Sequence, residues 1–293
     1  MQVHGNGIAL EVDDQGPRNG EPLLLIMGLG MQLVGWPDHL VQHLAAAGFR
    51  VVRFDNRDAG LSQGFDHLGV PNIVAATVRH ALRLPVPAPY TLGDMARDAA
   101  GVLDALGIAR AHVCGASMGG MIAQRLALHH PERLQSLTLM MTTSGARHLP
   151  QPSPRVRRAL LARPASSAED DVIAQLVSVL DLIGSPAYRP DPNETRQRLR
   201  AALRRAYRPA GTLRQLVAIA ADGDRSPGLG DLRMPCHVIH GTADPLVPVA
   251  GGIDLAAKIG GATRDLIDGM GHDLPLALLP RFAAGIAQAA ARA

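Results

Sequence analysis

Two rhythms of apolar residues alternate along this chain. Residues 23–27 form an unbroken apolar run bounded by Pro22 and Gly28, the pattern of a strand covered on both faces. Further strands are predicted at 8–13, 50–54, 111–115, 134–141, 235–240 and 264–267. Between them the period becomes helical: 34–47, ending at Gly48, and 92–106, closed by Gly107. From Met118 onward Met121, Ile122 and Leu126 share one helical face until Pro131 stops the helix. Helices near 250–258 and from about 275 to 291 complete the series. Strands alternating with helices predict an α/β fold with a mostly parallel sheet.

After Ser144 the rhythm breaks. Pro150, Pro152 and Pro154 lead into helical, arginine-rich sequence that lasts to about Pro227. We therefore expect a core made of 1–144 and 228–293, with 145–227 as a helical cap lying over the carboxyl ends of the strands. Within the cap Leu176, Val177, Leu180 and Ile183 recur at helical spacing, placed either to line a pocket or to pack the cap on the core.

Composition narrows the function class. The formal net charge is +3, and Lys258 is the only lysine. Residues 145–233 carry 15 arginines against 9 acidic residues, which reads as solvated helix faces. With aromatics at 3%, the stacking residues expected of a nucleic-acid partner are missing. No apolar run approaches the roughly 20 residues of a membrane span. The first residues lack the basic and apolar regions of a secretory leader, so a cytoplasmic location is expected. Cys114 and Cys236 lie in apolar strands and suggest neither a disulfide framework nor a metal site.

Gly-x-Ser-x-Gly occurs twice, around Ser62 and around Ser117. A nucleophilic serine needs a sharp strand-to-helix turn with small flanking residues. Ser117 meets that demand, with a strand before it, a helix after it and Gly115, Gly119 and Gly120 around it. Ser62 is followed by glycine, proline and no helical period. As a helix N-cap, Ser117 would have a purely structural use.

A hydroxyl becomes nucleophilic only when a base takes its proton, and a carboxylate must orient that base. His272, in Gly269-Met270-Gly271-His272, follows the last strand on a flexible loop. His240 and His112 lie within strands as packing residues, and His129 and His130 end a helix. Asp244, on the loop after 235–240, is the expected acid, with Asp268 as a weaker candidate; Asp222 and Asp224 read as charges at the end of the cap. Two backbone N–H groups should receive the oxyanion, from Met118 and from Leu29 in the turn Gly28-Leu29-Gly30.

Four blocks make the chain resemble the α/β-hydrolase superfamily, in the esterase-like branch of aclacinomycin methylesterase-type enzymes. They are Leu25-Ile26-Met27-Gly28-Leu29-Gly30 with Trp36-Pro37, then Phe54-Asp55-Asn56-Arg57-Asp58-Ala59-Gly60-Leu61-Ser62. Gly115-Ala116-Ser117-Met118-Gly119-Gly120 is the third, and His240-Gly241-Thr242-Ala243-Asp244 with Gly269-Met270-Gly271-His272 the fourth. The resemblance implies an eight-stranded sheet, no metal, no organic cofactor and a small-molecule ester as substrate, cleaved through an acyl-enzyme. It also implies a structural role for the loop from Asn56 to Ser62, bracing the nucleophile turn. Where many relatives have His-Gly this chain has Met27-Gly28, which preserves backbone donation from Leu29 but removes a side-chain role there. Relatives acting on haloalkanes or epoxides use an aspartate nucleophile, which Ser117 replaces; carbon–carbon hydrolases and perhydrolases share the serine, and a non-catalytic ligand-binding protein on the same fold is the rival from another class.

Overall fold

The unbroken apolar runs become the centre of one sheet, because a strand with helices on both sides exposes neither face to water. The computed structural model describes residues 1–293. The chain runs β1 (Gln2–Gly5), β2 (Ile8–Gln15), β3 (Glu21–Ile26), α1 (Asp38–Ala46), β4 (Phe49–Phe54), α2 (Ile73–Ala81) and α3 (Leu92–Ala105). Then come β5 (Ala111–Ala116), α4 (Met118–His129) and β6 (Leu134–Met140). Five helices follow without a strand: α5 (Pro154–Leu161), α6 (Glu169–Ile183), α7 (Pro192–Arg205), α8 (Pro209–Asp222) and α9 (Ser226–Leu229). Last are β7 (Cys236–Gly241), α10 (Ala250–Lys258), β8 (Thr263–Ile267) and α11 (Leu279–Ala290).

The strand order is β1-β2-β4-β3-β5-β6-β7-β8, antiparallel at β1/β2 and β2/β4 and parallel elsewhere. Alternation divides each strand between two cores. Leu24, Ile26, Val52 and Val113 face α3 and α4, while Leu23, Leu25, Val51 and Cys114 face α1 and α11. Both cysteines are buried and unpaired, and burial pushes the Cys236 thiol up to about 12, far from thiolate chemistry.

Three elements depart from the sequence reading. β1 was not expected; it fits because Gly5 lies backbone to backbone on Gly101 of α3, where an added Cβ would meet Gly101 at 2.6 Å. The helix predicted from 34 begins at Asp38, after a single turn at Leu33–Gly35, since Pro37 holds Trp36 extended. α2 was also not expected, and its pattern is inverted: Ala76 is buried while Val74 and Val78 face solvent.

The helices after β6 touch loops that follow strands, α8 at Gly30 and Arg57 and the end of α6 at His272. α6 opens with Glu169, Asp170 and Asp171, favourable at a helix N-terminus, and α7 is started by Asp191 and Pro192. Arg200 and Arg204 of α7 pair with Glu169 at 2.8 and 2.9 Å, joining the two helices. Ile183 is buried, whereas Leu176, Val177 and Leu180 remain half-exposed. Not all the arginines are solvated faces as expected: Arg214 and Arg225 are only 1% and 3% exposed. Arg214 is buried against Asp58 and Asp66, which the sequence leaves far apart, and Arg225 against Asp222, three residues before it.

Candidate active site

Ser117 joins β5 to α4 with φ 55° and ψ −120°. Such a backbone costs a non-glycine residue about 1–3 kcal/mol, so its surroundings must impose it. They do so through missing side chains. An added Cβ on Gly115 would lie 2.3 Å from Gly119 O, and one on Gly119 2.0 Å from Ile26 O. The Ser117 N–H donates to Met140 O at 2.9 Å, and Thr142 Oγ1 donates to Ser117 O at 2.8 Å. Although Ser117 stands at the N-cap position of α4, its hydroxyl makes no cap hydrogen bond.

That hydroxyl instead meets His272. Nε2 lies 2.9 Å from Ser117 Oγ, and Nδ1 lies 2.7 Å from Asp244 Oδ2. A carboxylate only accepts, so Nδ1 carries the proton and Nε2 presents a lone pair to the serine. Ser117 thus meets two loops more than a hundred residues further along the chain, themselves 28 residues apart. The other oxygen of Asp244, Oδ1, accepts the N–H groups of Leu246 and Val247 at 2.9 and 2.8 Å. Burial would raise this carboxyl, but His272, His240 and the Val247 N–H outweigh it and hold Asp244 down at about 2.

His240, read as a packing residue, is fully buried and sits behind the acid. Its Nε2 donates to Val247 O at 2.8 Å and lies 3.6 Å from Asp244 Oδ2, so Asp244 stands between two imidazoles. Its Nδ1 has no partner, because Gly252 of α10 lies too close to admit one. Sequence position alone gave no sign of this contact.

Met118 is buried at the start of α4, and its N–H, like that of Leu29, has no acceptor in the protein. Gly28 brings the turn after β3 over the serine: an added Cβ there would lie 3.2 Å from Ser117 Cβ and 3.7 Å from Oγ. Gly30, at φ +65°, donates its N–H to Gln215 Oε1 at 2.8 Å, and Gln215 Nε2 donates to Arg57 O at 2.7 Å. α8 therefore pins the turn that carries Leu29. Sequence reasoning missed Gln215, one amide in α8 with nothing to mark it.

The remaining candidates lie elsewhere. Ser62 is fully buried, donating to Asp55 O at 2.5 Å and accepting the Glu11 N–H at 2.9 Å. Asp268 is exposed and accepts from Thr242 Oγ1 at 3.0 Å. Asp222 is paired with Arg125 and Arg225, and Asp224 accepts the Ser226 N–H. His112 bonds Ser136 and Glu21, and His129 ends α4. The loop from Asn56 to Ser62 was expected to brace the turn at Ser117. Its contacts run elsewhere: Asn56 Nδ2 donates to Met27 O at 2.9 Å, Arg57 pairs with Asp98 of α3, and Asp58 pairs with Arg214 of α8. No three His, Cys, Asp or Glu side chains are grouped to ligate a metal ion, and no helix is long and apolar enough to cross a membrane.

Comparison with known proteins places relatives beside this geometry. A family profile described as alpha/beta hydrolase fold matches residues 21–276. Rhodomycin D methylesterase of Streptomyces sp. (strain C5) is 33% identical over 287 residues, covering 90% of this chain and 89% of that protein. The 2-hydroxy-6-oxo-6-phenylhexa-2,4-dienoate hydrolase of Comamonas testosteroni is 28% identical over 261 residues, covering 86% and 82%. Among solved structures, the enol-lactonase from Burkholderia xenovorans LB400 superposes with a TM-score of 0.74 at 23% identity, covering 99% of both chains.

Proposed function

This chain belongs to the α/β-hydrolase family, and on that premise we propose that it hydrolyses carboxylic esters through a covalent acyl-enzyme on Ser117. The observation that carries the reading is the relay from the Ser117 hydroxyl through His272 to Asp244, at 2.9 and 2.7 Å, on a turn whose strain leaves the hydroxyl free.

In this reading His272 Nε2 takes the Ser117 proton as Oγ attacks the ester carbonyl. The carbonyl electron pair moves onto oxygen, where the N–H groups of Leu29 and Met118 receive the charge; one such donor contributes about 3 kcal/mol. The imidazolium, held in place by Asp244, passes its proton to the departing alkoxide, and the alcohol leaves. Water then attacks the acyl carbon, giving its proton to His272, which passes it to Ser117 Oγ as the acyl–oxygen bond breaks and the acid departs. The 145–227 helices serve as a cap over the 1–144 and 228–293 core, and their half-exposed Leu176, Val177 and Leu180 offer apolar surface to a substrate.

The methylesterase and the dienoate hydrolase named above differ in the bond their names describe, so the decisive assay offers both bonds. Methyl and p-nitrophenyl esters are supplied beside a vinylogous diketone. Ester turnover, with a fluorophosphonate probe attached at Ser117 and both abolished in Ser117→Ala, supports the proposal. Cleavage of the diketone without the esters would assign carbon–carbon hydrolysis instead. Full ester turnover by Ser117→Ala would end the reading.

A further inference from the structure

The loop that carries His272 is not held by the sheet alone. It lies against the turn that follows α6, residues 183–187, and four contacts join the two. The His272 N–H donates to Ile183 O at 2.7 Å, and the Ala187 N–H donates to Gly269 O at 3.2 Å. The Gly271 N–H donates to Ser185 Oγ at 2.8 Å, and Ser185 Oγ in turn donates to Asp273 Oδ1. One hydroxyl therefore uses both its donor and its acceptor capacity on the residues either side of His272.

The approach is as close as backbones allow. An added Cβ on Gly271 would lie 2.4 Å from the carbonyl of Gly184, and one on Gly184 would lie 3.3 Å from Asp273 Oδ2. Ser185 is 2% exposed. Nothing in the relay itself requires Asp273 to be a carboxylate, and burial raises its pKa although Ser185 and His272 oppose that rise. A buried acid that folding does not favour in its charged form calls for a reason beyond stability.

We propose that Ser185 and Asp273 are positioning residues: they fasten the His272 loop to the end of α6, so that the helical segment above the site sets the imidazole's distance from Ser117. The proposal rests on the esterase reading of the relay. Its consequence is that the segment offering surface to the substrate also completes the base. Displacement of α6 loosens His272 directly, without any change in Ser117 or Asp244.

Removing one oxygen tests this. Ser185→Ala should lower kcat about tenfold to a hundredfold, the scale of a small misplacement of a catalytic group, with KM within about twofold. The rate of fluorophosphonate attachment to Ser117 should fall in parallel. Asp273→Ala should behave likewise, while Ser185→Thr, which keeps the hydroxyl, and Asp273→Asn, which keeps an acceptor, should recover most of the loss. Melting temperatures measured alongside separate positioning from unfolding. Unchanged kcat in Ser185→Ala, a loss confined to KM, failure of both conservative variants to recover, or a loss that follows the melting temperature would each overturn the proposal. Wild-type activity retained by Ser117→Ala would instead overturn the reading beneath it.

Discussion

Asp244 shows how one residue serves two ends. Its folded pKa, about 2, lies below the ordinary carboxylate value of about 3.9, so ionisation favours the fold. That contribution is complete well above pH 4 and is lost as pH falls towards 2; the shift corresponds to about 2–3 kcal/mol. Asp244→Asn should therefore weaken the fold by about that amount at pH 7, with a smaller deficit by pH 3, measured by urea unfolding at both. Turnover should fall about ten-thousandfold, because an amide that donates to Nδ1 fixes the wrong tautomer. If turnover fell equally in Asp268→Asn, the acid would be misassigned. Residues of this kind were legible because chemistry restricts them to loops after strands. His240 was not, since its contact with Asp244 depends on how the loop 242–247 folds back, which no local pattern records.

At the scale of elements, the turn at Ser117 is built from close approaches that only glycine permits. Gly119 is the tightest of them, and the atom it would strike is the carbonyl of Ile26 in β3, not a side chain that can swing aside. Gly119→Ala should therefore cost about 3 kcal/mol by forcing α4 away from the sheet. It should also slow probe attachment to Ser117 by displacing the hydroxyl from His272. Gly260→Ala, at a glycine with open space around it, is the control and should leave both unchanged. Denaturant midpoints and labelling rates for the two variants decide the matter. The central strands and α3, α4 and α10 could be read from the sequence because their burial is continuous or strictly periodic. β1 and α2 could not: β1 has only four residues and depends on pairing, and α2 turns its valines outward, reversing the pattern on which a helical face is recognised.

The whole molecule depends on how the helical segment is joined to the core, and one such joint is made of buried charge. Arg214 of α8 reaches between Asp58 and Asp66, with Nε 2.7 Å from Asp58 Oδ2 and Nη2 2.7 Å from Asp66 Oδ1. Tyr90 donates to the same Asp58 at 2.8 Å. Although burial opposes the Asp58 charge, Arg214, the Phe65 N–H and Tyr90 hold its pKa below the ordinary value. The arginine surplus, legible as a number, thus concealed a few buried joints among many exposed side chains. Arg214→Met should remove about 3–5 kcal/mol, because it leaves Asp58 buried without its cation. Adding Asp58→Asn to that variant should restore part of the loss, since an uncharged amide needs no counter-ion, and a double-mutant cycle on unfolding free energies measures how much. The next residue along α8 is Gln215, which holds Gly30, so slackening this joint should also reduce kcat before the protein unfolds. Equal stability of the single and double variants would show that Arg214 acts by packing and not by charge. Unchanged kcat in Arg214→Met would show that the turn bearing Leu29 keeps its place without it.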